Sequence, residues 1–154
     1  MSFVIYVNGL VMMFFAALMA LVAFIFPRTG SIFLESAILV GLLGLLLAMA
    51  TASTLRQMSR LHTFILTTSV WLTAAFVGAV PFYIFGFSAV DAMFEAMSGV
   101  TTTGSTIISG LDKTPRGILI WRAMLQSIGG VGFIVTGIAL LPILKVGGMR
   151  LFRT

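Results

Sequence analysis

Three consecutive threonines, Thr101, Thr102 and Thr103, stand between Val100 and Gly104. β-Branched residues favour extended backbone, and Gly104 can take backbone angles closed to other residues. A row of carbonyls facing one axis can replace the hydration shell of a dehydrated potassium ion. Coordination of a cation by backbone oxygen is therefore the chemistry this pattern offers, although TTTG by itself is also an ordinary polar turn. Other chemistry has little to build on. The acidic residues are Glu35, Asp91, Glu95 and Asp112, the one histidine is His62, and there is no cysteine. These are too few for most metal sites or for paired-carboxylate catalysis. A triad of His62, Asp91 and a serine would require atoms on opposite membrane faces to meet. An enzyme, a disulfide framework and a resident cofactor are all set aside on these grounds.

The elements that must position the threonines are set by composition. Of 154 residues, 60% are hydrophobic and 8% charged, with mean hydropathy +1.18. A soluble domain carries roughly 25% charged residues, so an all-α integral membrane protein is expected. Phe3 to Phe26 is an uncharged run long enough to cross a hydrocarbon core, and it ends at the turn signature Pro27-Arg28-Thr29-Gly30. No Lys or Arg precedes it, which argues for a retained span rather than a secretory signal. A second span is read from Ile32 to Thr54 with Glu35 in its first turn, and a third from Thr63 to Phe85 with Pro81 kinking its far end. A fourth runs from Gly117 to Leu144 and is interrupted by Gly129-Gly130-Val131-Gly132.

Between spans three and four lies Ser88 to Gly99, which is helical in pattern but too short to span. Ser88 and Asp91 resemble a capping box, and Gly99 is a natural stop. A short helix followed by a polar stretch that returns to the same side is a re-entrant pore helix with its loop. Backbone at such depth is tolerated only where it is buried in protein or lines water. The C-terminal carbonyls of that helix then point toward the membrane centre and favour a cation there. This setting favours the coordinating reading of Val100 to Gly104 over the turn. The expected architecture is four transmembrane helices plus one re-entrant helix and filter loop.

Glu95 is costly to bury without a partner. Arg122 lies about one turn inside the last span, so the two can form an ion pair, or Arg122 can snorkel to the interface. Gly129, Gly130 and Gly132 are read either as a hinge or as a flat surface for close helix packing. His62 has a solvated or capping role at a span boundary, Trp71 and Trp121 are packing or interface aromatics, and Asn8 is placed to bond a neighbouring helix. Arg56, Arg60, Lys145, Arg150 and Arg153 fall on one side, and Arg28, Lys113 and Arg116 on the other. Five against three makes the first side cytoplasmic, together with both termini. The basic residues sit at span edges, which fits membrane lipid rather than nucleic acid.

Residues 91–154, from DAMFEAMSGVTTTG to VGGMRLFRT, resemble the first membrane-pore-membrane repeat of the TrkH/KtrB-type potassium uptake proteins. The motifs that carry the resemblance are FEAMSGVTTTG, Trp121-Arg122, GGVG at 129–132 and VGGMRLFRT. The first two spans resemble the helix pair that precedes this repeat in the TrkH branch. The chain then divides into a leading pair, 1–61, and a repeat, 62–154, with span 63–85, pore helix 88–99, filter 100–104 and span 117–144. By this resemblance the backbone from Val100 to Gly104 supplies one quarter of a potassium filter, and Gly104 marks its potassium-selective form. Potassium is the transported ion and the only metal implied. The resemblance also implies a bacterial inner-membrane location, association with the remaining repeats of a pore, and a cytosolic nucleotide-binding regulatory subunit. Family members carry four such repeats. The chain is accordingly expected to be a fragment, a truncation product or one part of a split transporter, with a small homotetrameric cation channel or a non-conducting remnant as alternatives.

Overall fold

A computed structural model describes residues 1–52 and 59–144, among which there is helix and loop but no strand. Arg56, Lys145, Arg150, Arg153 and the tail motif VGGMRLFRT lie outside the described residues, as does the expected end of the second span. Helix α1, Ser2–Ile25, turns through a 3-10 segment, Pro27–Thr29, into α2, Gly30–Thr51. Helix α3 covers Arg60–Phe85, the short α4 covers Ala89–Val100, and α5 covers Arg116–Leu144. Four of these, α1, α2, α3 and α5, are long and apolar enough to cross a membrane.

Several boundaries depart from expectation for local reasons. Helix α3 begins a turn earlier than Thr63 because Ser59 caps it: its Oγ accepts the His62 N–H at 3.4 Å and lies 2.7 Å from His62 Nδ1. Helix α2 begins at Gly30, so exposed Glu35 stands beyond its first turn. The glycine cluster does not interrupt α5, which runs unbroken through residues 129–132. In a hydrocarbon medium every backbone group must find a partner, and continuing the helix satisfies them all.

Helices α1 and α2 form an antiparallel pair whose backbones touch where Gly9 faces Gly44. Buried Asn8 links this pair to α3, donating from Nδ2 to Ser69 Oγ at 2.9 Å and accepting at Oδ1 from Thr73 Oγ1 at 2.6 Å. Trp121 of α5 is fully buried, edge-on to Phe15 of α1 and Phe33 of α2. Its Nε1–H donates to the carbonyl of Gly78 at 2.9 Å, in the turn of α3 that precedes Pro81, and α3 continues through that proline to Phe85. Trp121 is thus a joint between the leading pair and the later helices, a role its residue type alone does not specify. Helix α4 lodges between α3 and α5 on a small-residue face, with Leu125 seated between Gly78 and Gly99.

Candidate ion-coordinating site

Helix α4 starts at Ser88, whose Oγ accepts the Asp91 N–H at 3.1 Å, and runs to Val100. Its end is built as a Schellman motif. The Thr102 N–H donates to the Gly99 carbonyl at 2.9 Å and the Thr103 N–H to the Ser98 carbonyl at 2.9 Å. Thr102 occupies the left-handed position that glycine usually fills, with φ of 57°. The stretch Thr101–Thr103 is therefore a turn and not the extended strand that β-branched residues favour, because capping the helix end outweighs that local preference. Thr101 Oγ1 adds a bond to the Met97 carbonyl at 2.7 Å and lies 2.8 Å from Thr103 Oγ1.

The direction of the carbonyls follows from peptide planarity. In a trans peptide the C=O of one residue is antiparallel to the N–H of the next. The N–H groups of Thr102, Thr103 and Gly104 all point back at carbonyls near the end of α4, those of Gly99 and Ser98. The carbonyls of Thr101, Thr102 and Thr103 consequently point away from the helix. Among the described residues none of the three accepts a hydrogen bond, and all three residues are exposed. Gly104 follows at φ of 80°, a conformation costly for a residue with a side chain. Val100 is placed differently from its neighbours. It is the last residue of α4, buried, and its carbonyl meets α5 at Gly129 so closely that a Cβ on Gly129 would collide with it.

Behind the loop, α4 grips the returning chain with two side chains three residues apart, which share a helix face. Ser98 Oγ donates to the Ser105 carbonyl at 2.6 Å. Glu95 Oε1 accepts from Thr106 Oγ1 at 2.6 Å and from the Ile107 N–H at 2.7 Å. Its other oxygen, Oε2, accepts from Arg122 Nε at 2.8 Å. The Glu95 side chain is 0% exposed and that of Arg122 17%. The carboxylate therefore ties together α4, the return segment and α5, and its burial is compensated by charge-assisted bonds. Of the glycines in α5, Gly130 faces the Thr102 methyl group and Gly132 faces Trp71. Gln126, one turn beyond Arg122 on the same face, brings its Nε2 close to Gly104. Ser98 and Gln126 stand three and four residues beyond Glu95 and Arg122, spacings visible in the sequence, whereas Thr106 lies eleven residues from Glu95 and no periodicity points to it.

Four membrane-length helices hold a short capped helix whose following loop has three carbonyls that accept no hydrogen bond among the described residues, and together they define an all-helical membrane protein. Comparison with known proteins gives the class its family. The TrkH family, described as a cation transport protein, matches residues 29–154, and the chain belongs to that family. The Trk system potassium uptake protein TrkH of Escherichia coli (strain K12) is 50% identical over 94 residues, 58% of this chain and 19% of its own. The Trk system potassium uptake protein TrkI of Halomonas elongata is 46% identical over 93 residues, 59% of this chain and 19% of its own. The crystal structure of the potassium transporter TrkH from Vibrio parahaemolyticus superposes with a TM-score of 0.81 at 34% identity, covering 94% of this chain and 32% of that one. The matched region thus spans about a fifth of the curated relatives and about a third of the solved chain.

Proposed function

We propose that this chain supplies one side of a potassium pathway in a TrkH-type uptake system, contributing one quarter of the selectivity filter. The observation that carries the reading is the set of three consecutive carbonyls, Thr101 to Thr103, turned away from the end of α4 with no hydrogen-bond donor among the described residues. Carbonyl dipoles left unpaired at membrane depth are expensive, and a partly dehydrated cation is the partner that removes that cost. Gly104 completes the filter segment, and Val100 serves as its packed foot against Gly129. Glu95 and Arg122 act as supports behind it. Residues 1–61 form a leading pair and 62–154 a membrane-pore-membrane repeat, which further repeats would complete around the ion. The relatives named as potassium uptake proteins support potassium as the ion; the proposed location is the bacterial inner membrane. A cytosolic nucleotide-binding subunit would act on the cytoplasmic face.

Coordination from one side does not hold a dehydrated ion. Expressed alone, the 154 residues should insert into the membrane without restoring potassium uptake to a deficient cell, and co-expression with a chain carrying the remaining three repeats should restore it. Potassium-selective uptake by the chain alone, with a tetramer detected in detergent, would replace this reading with a homotetrameric channel. Failure of the co-expressed pair, with both chains inserted, would leave a non-conducting remnant.

A further inference from the structure

Arg28, Lys113 and Arg116 come from two distant parts of the chain and line one open cavity of about 680 Å³ at the end of the bundle where the α1–α2 turn meets the start of α5. All three are exposed, and none forms a salt bridge among the described residues, where the one ion pair is Glu95 with Arg122. Asp112 is the single acidic residue on the wall, so the cavity carries an excess of two positive charges. Its lining also includes apolar side chains, among them Ile25, Ile32 and Phe85. Ile25 is 55% exposed and adjoins Phe24, 86% exposed, so apolar surface continues from the cavity onto the outside of the bundle.

We infer that this cavity is a binding site for an anionic phospholipid. In a chain with so few charges, three unpaired cations around one space repel each other, and a bound anion relieves that repulsion. The cavity lies at helix ends, the level at which lipid phosphates sit when the four spans cross a bilayer. Basic pockets between membrane helices suit such head groups. These apolar side chains select a lipid over a free phosphate, since only the lipid brings an acyl chain to cover Ile25 and Phe85. The excess charge selects an anionic lipid over a zwitterionic one. Bound there, the phosphate would tie the α1–α2 turn to the segment that leads from the filter loop into α5. The site rests on the membrane bundle and stands independently of the ion pathway.

The test uses the purified chain in detergent, with lipid retention read by native mass spectrometry and stability by thermal melting. Phosphatidylglycerol should be retained and should raise the melting temperature, while phosphatidylcholine, glycerol 3-phosphate and inorganic phosphate should do neither. Arg28→Gln, Lys113→Gln and Arg116→Gln should each weaken retention about five-fold, the electrostatic worth of one basic side chain at an anionic lipid surface. The three together should abolish it. Melting in the absence of lipid checks that the variants fold, and Arg28→Lys and Arg116→Lys should keep the response. Arg60→Gln, at the start of α3, should leave retention unchanged. Equal retention of phosphatidylcholine, an equal loss on Arg60→Gln, or a response unaffected by the triple change would overturn the site. An equal stabilisation by inorganic phosphate would overturn the lipid as its occupant.

Discussion

Glu95 and Arg122 show that the two partners of an ion pair need not contribute symmetrically. Glu95 has no access to water, whereas Arg122 keeps part of its side chain exposed and can extend toward the interface. Arg122→Met strands a buried carboxylate and should destabilise the protein by about 3–5 kcal/mol. Glu95→Gln keeps an acceptor for Thr106 and should cost about 1–3 kcal/mol. Unfolding in detergent can measure both, and the double variant should lose less than the sum; strict additivity would remove the coupling. Thr102 and Gly104 make a second contrast, because both have positive φ but only one is glycine. Holding a threonine in that region costs about 1–2 kcal/mol, so Thr102→Gly should leave stability unchanged or slightly raised. Gly104→Ser should lower stability by a similar amount. In a complete pore it should also reduce the preference for potassium over sodium, read by competitive uptake, while insertion stays intact. An unchanged ion preference would take this loop out of the pathway.

Helix α5 carries its glycines for different reasons at different positions. Gly129 lies against the backbone of Val100, so Gly129→Ala must push α5 away from the end of α4 and should cost about 1–3 kcal/mol. A Cβ at Gly132 would make ordinary contact with Trp71, and one at Gly137 would meet nothing. Gly132→Ala and Gly137→Ala should therefore be neutral or stabilising by up to about 1 kcal/mol in thermal melts, because alanine favours the helix. Transport in the assembled pore separates packing from hinge motion in the same series. If the cluster serves packing, Gly129→Ala alone lowers flux; if α5 bends at the cluster, Gly132→Ala lowers it as well.

The whole molecule has two ends with different contents. Arg28, Lys113 and Arg116 gather at one, while Ser59, Arg60 and His62 start α3 at the other. Cysteines introduced singly at Lys113 and at Arg60 should react with an impermeant reagent from opposite sides of the membrane, with position 113 accessible from outside the cell. Labelling of both from one side would overturn the re-entrant topology. Much of α5 faces outward from this chain: Val131, Phe133, Ile134 and Ile138 are each more than half exposed. That surface is where further repeats, or lipid, would have to lie.

The number and order of the membrane-length helices were legible in the sequence because bilayer thickness imposes a minimum length on every crossing helix, and apolar runs report it directly. The short helix was legible too, since Ser88, Asp91 and Gly99 mark its ends within a few residues. Those are local signals. The tertiary structure decided which way the threonine carbonyls point, because a left-handed Thr102 results from closing the end of α4 and no intrinsic preference of threonine predicts it. It also decided whether Arg122 pairs with Glu95, a contact across 27 residues, and what Trp121 does, since its partner Gly78 lies 43 residues away. Composition shows that a buried carboxylate or an indole N–H needs a partner. Which partner it takes is settled only when the helices are packed and the competing groups are brought within bonding distance or kept out of it.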